Sequence, residues 1–180
     1  VIKIETPLKK DVALSLNAGD QILLNGIIFT SRDTAHRFLL ASDFEKIRGA
    51  TIFHCGPVVR DNVVVSAGPT TSSRMNKFTP GVVAKYDIRA IIGKGGMDQS
   101  VLEALKGRAV YLAAVGGAAA IYAKHIKVRN VYKLEFGMPE AIWEFHVSDF
   151  PVMVAMDSKG RSLYADVYAK SKAVYQKLTR

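Results

Sequence analysis

Three short stretches of the chain carry the residue types that bind anions and move protons. The first is Gly68-Pro69-Thr70-Thr71-Ser72-Ser73-Arg74-Met75, directly after the apolar run Val63-Val64-Val65-Ser66-Ala67. Its consecutive hydroxyls and its guanidinium suit a carboxylate or a phosphate, and a helix opening near Ser72 would aim free backbone N–H groups at the same spot. Thr70 and Arg74 would then share one helical face. A structural reading competes: Ser72 or Ser73 caps a helix and Arg74 is solvated. The second stretch is Gly93-Lys94-Gly95-Gly96, after Ile91-Ile92. Its glycines let the backbone approach a ligand or form an anion nest, and Lys94 adds a point charge. It is not a phosphate-binding P-loop, because the spacer before Gly-Lys and the Ser/Thr after it are missing. A plain turn with an exposed lysine is the alternative. The third stretch is Thr30-Ser31-Arg32-Asp33-Thr34-Ala35-His36. Arg32 near a helix start opposes the helix dipole, which points to a specific anionic partner. His36, one turn later, is a candidate proton-transfer group. Here the alternative is an Arg32–Asp33 surface pair with a packed histidine.

The remaining reactive types are less informative. His54, His125 and His146 show no metal-ligand spacing and read as structural or surface groups. Cys55, the single cysteine, follows an apolar run and reads as a small packed residue. It cannot make an internal disulfide or alone hold an iron–sulfur cluster or a structural zinc. Trp143, Phe145 and Phe150 alternate with other residues and read as core. Gly116-Gly117 is either a fourth point of close backbone approach or a site of helix–strand packing. Arg32, Arg74 and Lys94 together with the hydroxyls suit a ligand with two carboxylates. No metal set, carboxylate pair or activated thiol accompanies them, so they read as half of a site.

The elements that must position these stretches alternate along the chain. Strands are expected at Val1–Glu5, Gln21–Thr30 (bent at Gly26), Ala50–His54, Asn62–Ala67, Arg89–Ile92 and Ala109–Ala114, with the short runs at 50–54, 62–67 and 89–92 buried. Ser31 offers an N-cap to a helix over Arg32–Ala41; further helices are expected at Ser100–Leu105, Ala118–His125 and the C-terminal half of Leu163–Leu178. Glu140–Val147 and Pro151–Asp157 read as a strand pair, and Asp157-Ser158-Lys159-Gly160 as a tight turn. The fold class expected is α/β, a mixed domain whose candidate site lies beyond the carboxyl ends of its strands.

Composition sets the outer bounds. With 180 residues, a single domain over 1–180 is expected, and 49% apolar with 23% charged residues is a globular composition. No apolar run reaches the roughly 18 residues of a membrane span, and no signal peptide is read at Val1–Lys10. Cytoplasmic residence is the expectation from cysteine usage. The net charge of +9 is spread along the chain. It keeps a basic nucleic-acid- or phosphate-binding module as an alternative from another class.

The motifs also resemble a known family. Ser31-Arg32-Asp33-Thr34-Ala35-His36-Arg37, Ile52-Phe53-His54-Cys55-Gly56-Pro57, Gly68-Pro69-Thr70-Thr71-Ser72-Ser73-Arg74-Met75, Ile92-Gly93-Lys94-Gly95-Gly96-Met97 and Phe136-Gly137-Met138-Pro139-Glu140-Ala141-Ile142-Trp143 occur in the order seen in β subunits of class I fumarate hydratases and L(+)-tartrate dehydratases. The likeness runs from about Pro7 to about Tyr175. It implies a swivelling β/β/α fold and a hydro-lyase whose [4Fe–4S] cluster is bound by a cysteine-rich α subunit and not by this chain. It implies a hetero-oligomer acting on a small dicarboxylate: fumarate and (S)-malate, with L(+)-tartrate as the alternative. By position, Thr70 matches the family's proposed proton acceptor, Arg74 the arginine beside it, and Arg32 and Lys94 the residues that bind carboxylates. Thr71, Ser72 and Ser73 line the same loop. His36 matches a histidine sometimes assigned to the active site, and as an imidazole it is chemically an easier base than a threonine.

Overall fold

Short apolar runs, too brief for helices, become the staves of a closed sheet. The computed structural model describes residues 1–179. In chain order the elements are β1 (Ile2–Thr6), α1 (Lys10–Ser15), β2 (Gln21–Thr30), α2 (Asp33–Ala41), β3 (Thr51–Phe53), β4 (Val58–Arg60), β5 (Val63–Ser66), α3 (Thr79–Tyr86), β6 (Ala90–Gly93), α4 (Gln99–Leu105), β7 (Val110–Ala113), α5 (Ala119–Ala123), β8 (Ile126–Tyr132), β9 (Ile142–Met156) and α6 (Leu163–Leu178). The chain is a mixed α/β domain. β2, β3, β6 and β7 lie side by side and parallel. β9 runs antiparallel to β7 at one end of that row and to β2 at the other, which closes the sheet into a barrel. β1 extends β2, and β8 extends β9.

The period-two pattern separates two cores. In β6, Ala90 and Ile92 join one cluster with Leu24, Phe53, Leu112, Phe145 and Phe150, while Ile91 joins the other beneath α2, α3 and α4. Gly26 marks the point where β2 changes neighbours. Its φ is 102°, the register with β9 shifts there, and a Cβ at Gly26 would lie 2.5 Å from the Thr6 carbonyl oxygen.

Four expectations are corrected. Residues 140–147 and 151–157 are not paired with each other; both belong to β9, which passes through Asp149 with a single positive φ of 47°. One such residue bends a strand, whereas a tight hairpin reversal of type I′ needs two. The run 62–67 is buried on one face only: β5 pairs only with β4, Val64 and Ala67 are buried, and Val63 and Val65 are exposed. There the two consecutive positive-φ residues, Asp61 and Asn62, do reverse the chain. Ser31 does not cap α2, whose N-cap is Arg32 without a side-chain bond, because the Ser31 hydroxyl is bonded to His36. The final helix spans all of 163–178, with the Ser162 hydroxyl accepting from the Ala165 N–H.

Candidate functional site: the rim of parallel strand ends

The parallel row brings the candidate stretches together. β2, β3, β6 and β7 end on the same rim, so the segments beginning at Ser31, His54, Lys94 and Ala114 leave it side by side. The hydroxyl stretch arrives from β5 and is pinned there by backbone bonds. The Thr70 N–H donates to the His54 carbonyl (2.6 Å), the Lys94 N–H to the Thr70 carbonyl (3.3 Å), and the Ser72 N–H to the Lys94 carbonyl (3.0 Å). Thr70–Ser72 thus runs as an added fragment of strand alongside Lys94. Residues Ser72–Met75 form one 3₁₀ turn without a side-chain cap. The helix that opens at Ser72 is this single 3₁₀ turn, and Thr70, which precedes it, shares no helical face with Arg74. The Ser72 hydroxyl is committed elsewhere.

That commitment is a buried polar chain. Ser72 Oγ lies 2.8 Å from His54 Nδ1 and 3.0 Å from the Tyr111 hydroxyl, which is 2.8 Å from the Gly95 carbonyl oxygen. All three side chains are 0% exposed. A carbonyl only accepts, so Tyr111 donates to Gly95, Ser72 donates to Tyr111, and His54 donates from Nδ1 to Ser72. In this order every proton has an acceptor, and His54 Nε2, which has no partner, is left as a bare lone pair. Burial, helped by the neighbouring His36, holds the His54 pKa well below that of free imidazole. Gly93 belongs to the same arrangement, since a Cβ there would fall 1.8 Å from Ser72 Oγ.

His36 is 1% exposed and packs edge-on against His54, ring centres 5.1 Å apart. Its Nδ1 is 2.7 Å from Ser31 Oγ and 3.1 Å from the Arg32 carbonyl oxygen. Burial lowers its pKa to about 4, so the ring is neutral at pH 7.

The three cations differ in how they are held. Arg74, half exposed, donates to Asp33 Oδ2 at 2.5 Å. Arg32 Nε lies 3.3 Å from Glu140 Oε1, while Glu140 Oε2 accepts the Thr34 N–H at 2.9 Å. The anion expected at the start of α2 is therefore a carboxylate of this chain. The alternative Arg32–Asp33 pair does not form, because neighbouring residues at a helix start point apart and each finds a partner from another loop. Gly56 leaves room for the Arg32 guanidinium: a Cβ there would lie 2.2 Å from Nη1. Lys94 makes no ion pair among the described residues, and its side chain runs past Gly116, where a Cβ would lie 3.4 Å from its Cδ. Thr71 and Ser73 are exposed, Thr70 is partly exposed, and Ser72 faces inward.

Sequence reasoning missed Tyr111 as a partner of Ser72, and Asp33 and Glu140 as counter-charges. Glu140 sits inside the Phe136–Trp143 motif, and a carboxylate in so apolar a stretch was the available signal. Cys55 is fully buried and its thiol pKa is pushed far up by desolvation. Among the described residues no three His, Cys, Asp or Glu side chains gather as a metal site requires, and no helix is long and apolar enough to cross a membrane.

Fold and rim define an α/β barrel domain that carries anchored hydroxyls, two carboxylate-paired arginines and a lysine on one edge. The chain belongs to the Fumarase C-terminus family, whose model matches residues 1–167. It is 44% identical over 179 residues to a protein of Geobacillus stearothermophilus provisionally named fumarate hydratase class I, with 95% of this chain and 35% of that one covered. It thus spans about a third of that relative's length. It is 46% identical over 184 residues to a protein of Methanocaldococcus jannaschii provisionally named L(+)-tartrate dehydratase subunit beta, covering 94% and 92%. To the L(+)-tartrate dehydratase subunit beta of Escherichia coli K12 it is 34% identical over 173 residues, covering 91% and 86%.

Proposed function

We propose that this chain is the β subunit of a hydro-lyase that reversibly adds water to fumarate to give (S)-malate, working only with a companion α subunit. The observation that carries this reading is the backbone pinning of the Thr70–Arg74 stretch to Lys94 on the rim. A [4Fe–4S] cluster does not fit this chain, which has one cysteine, buried; we assign the cluster to the companion. We place the assembly in the cytoplasm on its cysteine usage.

Dehydration of malate removes a carbon-bound proton, negative charge builds on the adjacent carboxylate, and the hydroxyl leaves the neighbouring carbon, a departure we assign to the companion subunit. Lys94, without a counter-ion among the described residues, meets that charge, as fixed donors in a water-poor site do most effectively. Arg74 and Arg32 bind substrate carboxylates by exchanging Asp33 and Glu140 for them, so these internal carboxylates hold the arginines in place beforehand. Thr71 and Ser73 donate from the rim, and Ser72 holds the loop from within. His36 is sealed beneath the rim, whereas Thr70 is open to a ligand; we therefore assign proton transfer at carbon to Thr70, its alkoxide favoured by the cations around it. In the reconstituted enzyme, Thr70→Ala lowers kcat by at least ~10²-fold while His36→Asn lowers it less; full retention in Thr70→Ala moves the base to the companion chain. Lys94→Ala costs about 2–4 kcal/mol in kcat/KM, and unchanged kinetics would contradict the placement.

A second substrate has specific support: the relatives covered almost end to end are named as tartrate dehydratase subunits. Parallel assays of fumarate hydration and L(+)-tartrate dehydration by the assembled enzyme decide between them.

A further inference from the structure

Lys94 heads a loop that cannot anchor itself. Gly95 and Gly96 follow it, and neither has a side chain to reach the core. Their N–H groups make no backbone hydrogen bond among the described residues. Gly95 has a φ of 70°, and a Cβ there would meet nothing within 4 Å. Glycine loses more freedom on ordering than any other residue, so anchors must come from other elements. One is Tyr111 of β7, whose hydroxyl donates to the Gly95 carbonyl at 2.8 Å. Burial, with Tyr164 nearby, holds that phenol well above its ordinary pKa, so it keeps the proton it donates. The second is Tyr164, in the first turn of α6. A Cβ at Gly96 would lie 3.2 Å from Tyr164 Cγ and 3.3 Å from its Cδ2, so the ring is seated on the bare Cα of Gly96.

We infer that Tyr164 is a positioning residue for Lys94: its ring clamps Gly96 and, with the Tyr111 hydroxyl on Gly95, fixes the loop from which the ammonium group extends. The inference rests on the role given above to Lys94.

The holds on either side leave this step to the two tyrosines. Before it, the Lys94 N–H donates to Thr70 and the Lys94 carbonyl accepts from Ser72. After it, Met97 packs on the core beneath α4, and the Asp98 carboxylate caps that helix at the Val101 N–H. The first turn of α6 is itself tied down, because Ser162 pairs with Met156 at the end of β9 and its hydroxyl accepts the Ala165 N–H. The Tyr164 atoms nearest Gly96 are carbons, so the ring and not the hydroxyl makes the contact. Tyr164 is 37% exposed, so its weight falls on the loop more than on global stability. Such an indirect hold matters to the reaction because a shift of about 1 Å in a group that meets the reacting atoms costs up to ~10²-fold.

Kinetics of the reconstituted enzyme and NMR relaxation of the full chain alone test the clamp. Tyr164→Ala should lower kcat about tenfold with KM changed less than about twofold, and Tyr164→Phe, which keeps the ring, should restore it. Alanine is a good helix former, so α6 keeps its first turn in the first variant. In a Lys94→Ala background Tyr164→Ala should cost nothing further, since both act on one charge. In the chain alone, Tyr164→Ala should drop the amide order parameters of Gly95 and Gly96 from about 0.85 to below about 0.6. With Lys94→Ala impaired, unaltered kinetics in Tyr164→Ala, losses that add in the double variant, or no rescue by Tyr164→Phe would each overturn the inference, as would rigid glycines in Tyr164→Ala. Unchanged kinetics in Lys94→Ala beside mobile glycines in Tyr164→Ala would instead overturn the role given to Lys94 and leave the clamp on the loop standing.

Discussion

At the rim, His54, Ser72 and Tyr111 are polar side chains with no exposure at all; on α6, Val167, Tyr168 and Tyr175 are carbon-rich side chains each more than 60% exposed. Both depart from the ordinary sorting of polar groups to water and apolar groups to the interior. At the rim the departure is settled within the chain, because every proton of the polar series has an acceptor. On α6 nothing among the described residues settles it. The contrast teaches how to read such departures. A buried polar series whose protons all find acceptors fixes a loop in one place, and here the loop is the one that carries Thr70. An exposed apolar stripe points to a surface outside the chain.

That contrast can be pressed hardest with pH. His36 has a native pKa of about 4 against an ordinary 6.5, so between these values the unfolded chain binds more protons than the native one. Stability is therefore full above pH 6.5 and declines as pH falls toward 4, by about 3 kcal/mol from this residue alone. His54 acts in the same direction. Urea unfolding at pH 7 and pH 5 should show the loss, and His36→Asn should flatten part of it; a pH-independent midpoint would mean the histidines are not sealed in.

A smaller effect is expected from Ser72→Ala. It strands the His54 Nδ1 proton and removes one partner of Tyr111, at a cost of about 1–3 kcal/mol in unfolding free energy. Hydrogen exchange at the Lys94 and Ser72 amides should accelerate along with it. Wild-type exchange would show that the backbone bonds pin the loop without the side-chain series. The smallest effect is expected on α6. Val174→Ser should shift the unfolding free energy of the dilute single chain by less than about 0.5 kcal/mol, since the residue touches little there. A large loss would mean the stripe is already packed within the chain.

How much of this was legible beforehand varies by region for physical reasons. The staves β2, β3, β6 and β7 were readable because each is a short apolar run bounded by turn residues, a local pattern. β9 was misread because much of its pairing is long-range: besides β8, the strand before it, its halves join β2 and β7, which lie far away in sequence. Thr79-Pro80 signals the start of α3, a cue not used, as Pro is favoured in a first turn. The exposed side of β5 could not be read from a run of valines, which looks alike whether one face is covered or both.

For the site, the sequence determined the inventory: hydroxyls followed by Arg74, a glycine-rich loop around Lys94, Arg32 near a helix start, and a single cysteine. Residue type and local spacing are enough for that. The tertiary structure alone decided who neutralises whom. Arg74 meets Asp33 and Arg32 meets Glu140 because barrel closure brings stretches 41 and 108 residues apart to one rim, and charge pairing across such distances has no local signature.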